Sequence, residues 1–407
     1  MSKAPRANAV VGQSGGPTAV VNASLVGVIE EAKKHPEIKK LYGAIHAVAG
    51  IANDHFIDLK KLSSGKLKAI AASPSSALGS SRDKPTPESC AQILDVFKKR
   101  DVRYFFYIGG NDSANTLHVI NKMATDIGYE LRAFHIPKTV DNDLLVTDHC
   151  PGYGTAATFV ALALIGDDLD NRALPGVKID VIMGRHAGFL TAASVLGKQR
   201  DDDGPHLVYI PERSVSEKKF ISDVDSVVKK LGRCVAAVSE GIRDIDNVTW
   251  AEKLAKKLGK NIETDAHKNI QLSGTSALAD YLAELVKAEL GVKRVRADTF
   301  GYLQRSFPGI QSAVDVREAR QCGKEAVRLA MKENSGSVAI RRISNKPKYT
   351  VELFRTELSN VAEKTKTMPD EFISAEGNGV TDAFIEYAMP LIGKLPKTEY
   401  LGNHPKV

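Results

Sequence analysis

The stretch Tyr104–Leu117, YFFYIGGNDSANTL, sets the reading of the chain. An aromatic run of strand character ends in Gly109-Gly110. Asn111, Asp112 and Ser113 follow at once, and an amphipathic helical pattern runs from Ala114 to Asp126. A strand that passes through paired glycines into a helix is half of a βαβ unit. The same order recurs. Apolar runs punctuated by Gly or Pro fall at Ala7–Gly12, Lys40–Val48, Arg132–Ile136, Lys178–Met183, His206–Ile210 and Cys234–Val238. Longer amphipathic stretches lie between them, as at Thr18–Glu31, Ser89–Lys99 and Thr155–Leu169. Alternation of this kind predicts an α/β fold of mainly parallel sheets, with ligands beyond the carboxyl ends of the strands. Asp244–Gly291 reads as mostly helical. The chain beyond Asn334 is hard to read, and Lys394–Val407 is expected to be poorly ordered.

The 407 residues are enough for two domains. A hydrophobic content of 43% without a run of eighteen apolar residues argues for a globular enzyme and against a membrane span. The start, MSKAPRANAVVGQSGG, lacks the apolar core of a signal peptide. Cys90, Cys150, Cys234 and Cys322 form no Cys-x-x-Cys pair, so neither a zinc site nor a disulfide framework is indicated, and a cytoplasmic location fits. The net charge of +7 is scattered over helix-like stretches such as EEAKKHPEIKK, not gathered into a stripe for nucleic acid. A basic balance also suits a cleft for phosphates.

Four loops carry possible chemistry. In GQSGGPTAVVNASL, Gly12–Leu25, Gly15 and Gly16 let the backbone approach an anion just before a helix expected from about Thr18; the alternative is an ordinary tight turn. In ALGSSRDKP, Arg82 can aim a guanidinium at phosphate oxygens, or lie on the surface. After Gly109-Gly110, Asn111 and Asp112 offer oxygen atoms to a hydrated magnesium ion, or simply cap the helix. In IPKTVDND, Ile136–Asp143, Asp141 is a candidate base and Lys138 a phosphate-holding cation, with Asp143 placed to orient metal-bound water or the loop. The alternative is an Asx-rich turn. Further on, VIMGRHAGFL offers Arg185, AAVSEGI places Glu240 at a strand end, and RADTFGYLQRS supplies Arg296, Tyr302 and Arg305. An acid for sugar hydroxyls and arginines for a sugar phosphate would make an acceptor pocket. His186 and His267 read as polar fillers.

In combination, GGxxS, TxDND, MGR, the strand-end SEG and GYxQR resemble the phosphofructokinase family from Gly12 to about Ser306. The resemblance implies two Rossmann-like domains with the active site in the cleft between them. Residues 1–152, rejoined by roughly 304–360, would bind the donor; residues 153–303, rejoined by roughly 361–407, would bind the sugar phosphate. It implies transfer to the 1-hydroxyl of fructose 6-phosphate, with Mg2+ as cofactor. Asp141 would accept the proton, and Thr139, Val140 and Asp141 would line the sugar. Met183, Gly184 and Arg185 would hold it, Glu240 would accept its hydroxyls, and Tyr302, Leu303, Gln304 and Arg305 would lie near the 6-phosphate. Arg296 matches an arginine that reaches a neighbouring subunit's sugar phosphate, so a homodimer or homotetramer is implied. Gly15, Gly16 and Arg82 match donor-phosphate contacts. Asn111 and Asp143 would serve the metal, although most relatives carry Asp at the place of Asn111. Asn keeps an oxygen but loses the charge.

Two residues speak to the donor. ATP-using members resemble GGDGS and PGTxDND. This chain has Asp112 in place of the second glycine of the first motif, and Lys138 in place of the glycine of the second. The Asp side chain fills the room of a nucleotide α-phosphate and adds negative charge; the lysine holds the terminal group of a shorter donor. Both changes are similar to those in pyrophosphate-dependent members, so reversible transfer from inorganic pyrophosphate is expected, with Lys138, Asp141, Asp112 and Arg82 as the catalytic set. The alternatives are an ATP donor, a lipid or NAD kinase, a seven-carbon sugar phosphate as acceptor, and a silent regulatory subunit.

Overall fold

The computed structural model describes residues 4–84, 86–257, 276–362 and 364–401. Among the described residues eleven strands are formed: β1 (Ala7–Gln13), β2 (Ile38–Ala44), β3 (Phe56–Asp58), β4 (Val102–Gly109), β5 (Arg132–Pro137), β6 (Val177–Ile182), β7 (Leu207–Tyr209), β8 (Cys234–Ser239), β9 (Val295–Thr299), β10 (Ser335–Ser344) and β11 (Thr350–Thr356). They make two sheets, ordered β11-β10-β5-β4-β1-β2-β3 and β7-β8-β6-β9. The smaller sheet is wholly parallel. In the larger, only the outermost pairs, β2 with β3 and β10 with β11, run antiparallel.

Burial on both faces explains the near-continuous apolar strands. In β1, Ala7, Ala9 and Val11 join one core with Phe106 and Phe134, while Val10 faces the opposite core with Phe105 and Phe97. The smaller sheet repeats this: Ile179, Val181 and Val238 pack under Phe220 and Trp250, and Ile182, Val235 and Ala237 pack under the helix Tyr153–Ala173. Met368, Phe372, Phe384 and Leu391 complete that second layer, so the last part of the chain returns to the smaller sheet.

Several sequence expectations are shifted. The first long helix spans Val21–Ala32 rather than starting at Thr18, because the chain turns at Ala19-Val20. The run Lys40–Val48 ends as a strand at Ala44 and enters the short helix Ala47–Ala52. Within Asp244–Gly291, the helices Trp250–Lys257 and Ala277–Leu290 are formed, and 258–275 lie outside the described residues. The tail is held as far as Tyr400. Gln199 Nε2 donates to Pro396 O at 2.9 Å, and the Arg172 guanidinium lies 4.7 Å from the Tyr400 ring centre. All four cysteines are buried and unpaired, and among the described residues no helix is long and apolar enough to cross a membrane.

The helix Ala313–Ala330 lies against Val21–Ala32 at backbone distance. A Cβ at Gly27 would fall 2.1 Å from Arg320 O, and one at Gly323 would fall 2.1 Å from Ser24 O. Gly27→Val is therefore expected to destabilise the fold by ~1–3 kcal/mol or more, the usual cost of overpacking. Urea unfolding would show a lowered midpoint at unchanged slope; an unchanged midpoint would mean that the two helices part freely.

Candidate active site

The carboxyl ends of β1, β4, β5, β6 and β8 converge on one cavity of about 310 Å³ between the two sheets. From the larger sheet come Ser14, Gly15 and Gly16 after β1, Gly110–Ser113 and Thr116 after β4, and Lys138–Asp141 and Asp143 after β5. The loop Ser81–Asp83 closes the same side. The smaller sheet sends Met183, Arg185 and His186 after β6 and Glu240 after β8; Arg305 and Thr365 complete the wall.

Of the residues singled out from sequence, Gly15, Gly16, Arg82, Asn111, Asp112, Lys138, Thr139, Val140, Asp141, Asp143, Met183, Arg185, Glu240 and Arg305 share this cavity. Gly184, Arg296, Tyr302, Leu303 and Gln304 do not line it. Gly184 shapes the turn, its carbonyl accepting from Ser239 Oγ. Gln304 is buried behind the wall, where its Oε1 accepts from Met183 N at 3.4 Å. Tyr302 and Leu303 are exposed, and the Arg305 guanidinium lies 4.5 Å from the Tyr302 ring centre. Arg296 stands exposed on β9, the free edge of the smaller sheet. His186, read from sequence as a filler, faces the cavity; burial and the charges of Arg185 and Arg243 lower its pKa, so the ring is neutral. His267 lies outside the described residues. Ser14, Ser81, Asp83, Ser113, Thr116 and Thr365 line the cavity without having been singled out.

The strand ends are fixed by close approach. A Cβ at Gly241 would lie 2.2 Å from Arg185 O, so the loop carrying Glu240 can meet the loop carrying Arg185 only with glycine there. Glu240 N donates to Ile182 O at 2.8 Å. In the larger sheet, the helix Asn111–Asp126 starts at Gly110, so its first turn faces the cavity and places Asp112 there. Asn111 is held on both sides: its Oδ1 accepts from Asp112 N at 2.8 Å and its Nδ2 donates to Thr365 Oγ1 at 3.3 Å.

Lys138 is 4% exposed, and its Nζ donates to Gly16 O at 2.7 Å. Burial pulls its pKa down to about 7. Arg305 and Arg82 push the same way, against the attraction of Asp141 and Asp143. Asp143 moves up to about 7, through burial first and repulsion by Asp141 second. Arg305 is also lowered by burial, with Arg82 adding to it. Asp141 Oδ1 and Arg185 Nε are buried and have no protein partner. Such atoms in a polar cavity are ones a ligand can satisfy. Arg82, Lys138, Arg185 and Arg305 line the cavity together with Asp83, Asp112, Asp141, Asp143 and Glu240, so it can hold a polyanion at its cations and take the proton of a hydroxyl at a carboxylate. A separate carboxylate group, Asp167, Asp180 and Asp298, gathers within 4.8 Å away from this cavity. The Lys178 ammonium sits among the three, 3.3 Å from Asp167 and 3.5 Å from Asp180, and serves as their cation.

Comparison with known proteins points the same way. The phosphofructokinase family profile matches residues 8–330. A Rhodospirillum rubrum protein named pyrophosphate–fructose 6-phosphate 1-phosphotransferase is 53% identical over 386 residues, 95% of this chain and 94% of that one. A sulfofructose kinase of Alkalicoccus urumqiensis is 30% identical over 367 residues, 89% and 91% of the two chains. The solved structure of the pyrophosphate-dependent phosphofructokinase from Marinobacter aquaeolei superposes with a TM-score of 0.83 at 34% identity, covering 98% of this chain and 95% of that one.

The depressed lysine makes anion binding proton-linked. A bound anion restores the ammonium and raises the Lys138 pKa, so a proton is taken up wherever the pH lies above about 7 and below the raised value. Calorimetry with inorganic sulfate near pH 8.5, in buffers of different ionisation enthalpy, is expected to show this uptake. Lys138→Met is expected to abolish it; persistence in that variant would assign the proton elsewhere.

Proposed function

The chain belongs to the phosphofructokinase family, and we propose that it transfers a phosphoryl group reversibly from inorganic pyrophosphate to the 1-hydroxyl of D-fructose 6-phosphate, giving fructose 1,6-bisphosphate and phosphate. The observation that carries this reading is Lys138. Its buried ammonium lies against the Gly15-Gly16 loop, and Asp112 stands in the same cavity where a nucleotide would require room and no negative charge. The names of the Rhodospirillum rubrum and Marinobacter aquaeolei relatives support the same donor.

In this reading the half built on the larger sheet, residues 1–152 with roughly 304–360, takes pyrophosphate. The half built on the smaller sheet, 153–303 with roughly 361–407, takes the sugar. Arg82, Lys138 and the backbone at Gly15 and Gly16 hold the donor. Glu240 accepts sugar hydroxyls, Arg185 and the Met183-Gly184 turn hold the ring, and Arg305, backed by Tyr302, faces the 6-phosphate. Asp141 takes the proton of the 1-hydroxyl, as its partnerless Oδ1 allows. Lys138 and Arg82 spread the charge that grows on the transferred phosphoryl. A magnesium ion fits this donor set, because Asp141 and Asp143 repel one another in the cavity that Asn111 also lines, and held by Asn111 and Asp143 it would neutralise donor oxygens. Arg296, exposed on the edge strand β9, supports a homodimer or homotetramer in which it serves a neighbouring copy. Four unpaired thiols fit a cytoplasmic enzyme.

A coupled assay with fructose 6-phosphate tests the donor: turnover is expected with pyrophosphate and not with ATP, and the reverse result would overturn the reading. Asp141→Ser is expected to lower kcat by ~10²–10⁴-fold with little change in sugar KM; near-normal turnover would remove Asp141 as the base. Lys138→Gly should raise the KM for pyrophosphate far more than that for the sugar phosphate, and an unchanged donor KM would refute its role.

A further inference from the structure

Behind Asp141, the chain reverses through Asn142, a fully buried residue at φ 60°. This left-handed backbone is one that Asn tolerates better than most, but it must be held. Both ends of the Asn142 amide are used. Its Oδ1 accepts from Cys150 N at 2.9 Å, closing the loop on itself, and its Nδ2 donates to the Tyr387 hydroxyl at 2.7 Å. That hydroxyl donates onward to Asp148 O at 2.8 Å, so a single oxygen joins the start and the end of the loop.

Tyr387 lies on the helix Asp382–Ala388, far along the chain from the loop that it holds. Its ring is packed among aromatic side chains from other parts of the chain. Phe372 lies 5.1 Å and Phe189 6.1 Å away between ring centres, and the Arg342 guanidinium sits 4.6 Å from the ring centre. A second anchor comes from the same returning segment. Lys366 N donates to Asp143 O at 2.7 Å, while its ammonium donates to Thr147 O at 3.1 Å and Asp148 O at 2.9 Å.

We propose that Tyr387 is a positioning residue for the reaction. Its hydroxyl, acting through Asn142, fixes the reversal that aims the Asp141 carboxylate into the cavity. The inference rests on the assignment of Asp141 as base. The hydroxyl touches no substrate, so its effect falls on the geometry of proton transfer and not on binding. Displacing a catalytic group by an ångström is enough to cost about 10²-fold in rate.

Tyr387→Phe keeps the packed ring and deletes the oxygen. Assayed with fructose 6-phosphate and pyrophosphate, the whole chain carrying this substitution is expected to lose kcat roughly 10- to 100-fold, with both KM values close to those of the unsubstituted protein and the fold intact at the assay temperature. Asn142→Ala also strains the left-handed backbone and orphans Cys150 N, so its thermal midpoint should fall while kcat drops at least as far, and the double variant should be no slower than Asn142→Ala alone, because both act through one bond. An unchanged kcat in Tyr387→Phe overturns the proposal. So does a loss that comes with a raised sugar KM or with partial unfolding at the assay temperature, since that marks a structural role only. Additive losses in the double variant overturn it as well. Absence of pyrophosphate-dependent turnover in the unsubstituted protein rejects the function on which the inference rests, and the inference with it.

Discussion

Removing a lysine ammonium from water costs several kcal/mol unless polar and charged partners replace the lost hydration. Lys138 meets that cost in the cavity, where the Gly16 carbonyl is its direct partner and Asp141 and Asp143 attract it from the same loop. Arg305 and Arg82 face it with like charge, so in the absence of ligand the balance is poor. A polyanion reverses the sign of the problem: every group that repels Lys138 attracts the anion. The converging strand ends, the glycine turns beneath them and the packed cores serve to hold these charges in an arrangement that a flexible chain would avoid.

The returning segment beyond Val361 is what joins the two halves at this point. Val361 packs with Ala114, Leu144 and Cys150. Thr365 meets Asn111, and Lys366 spans the loop after β5. Met368 N shares Glu212 Oε1 with Gly188 N, just beyond the Arg185 turn. Behind the same loop, His149 lies buried between Asp148 and Glu318, each at 2.7 Å. Burial alone would lower its pKa, but its two carboxylate partners outweigh that and raise it. Arg342 binds Asp148 and the Tyr387 carbonyl. A segment of little regular structure thus fixes loops from both sheets through backbone groups, which no pattern of side chains announces.

Strands buried on both faces were legible because their apolar runs are nearly continuous, as in β1, β4, β5, β6 and β8, and the glycine turns after them marked where chemistry could sit. The strands that were missed are β3, β9, β10 and β11, and the first three have other compositions. β3 has three residues, β9 alternates charged with small side chains in VRADT, and β10 passes from an apolar start into RRIS as it leaves the sheet. Their strand character comes from pairing partners, not from their own sequence. Ser14 and Ser81 gave no signal, since a serine after a strand is most often a turn residue. Thr365 gave none because only the return of the chain brings it to Asn111.

The sequence by itself determined the α/β class, the loops that carry Arg82, Lys138, Asp141, Arg185, Glu240 and Arg305, and the pair Asp112 and Lys138 that bears on the donor. These are local matters: a period of apolar residues, a glycine where the backbone must turn, a charge at a strand end. The tertiary structure alone decided that those loops share one cavity, that Gln304 supports the wall without facing it, that Arg296 stands on an outer edge, and that Tyr387 and Lys366 hold the loop of Asp141. Each of these depends on contacts between residues distant in the chain. Their formation is governed by burial of whole surfaces and the pairing of buried polar groups, and no stretch of neighbouring residues encodes them.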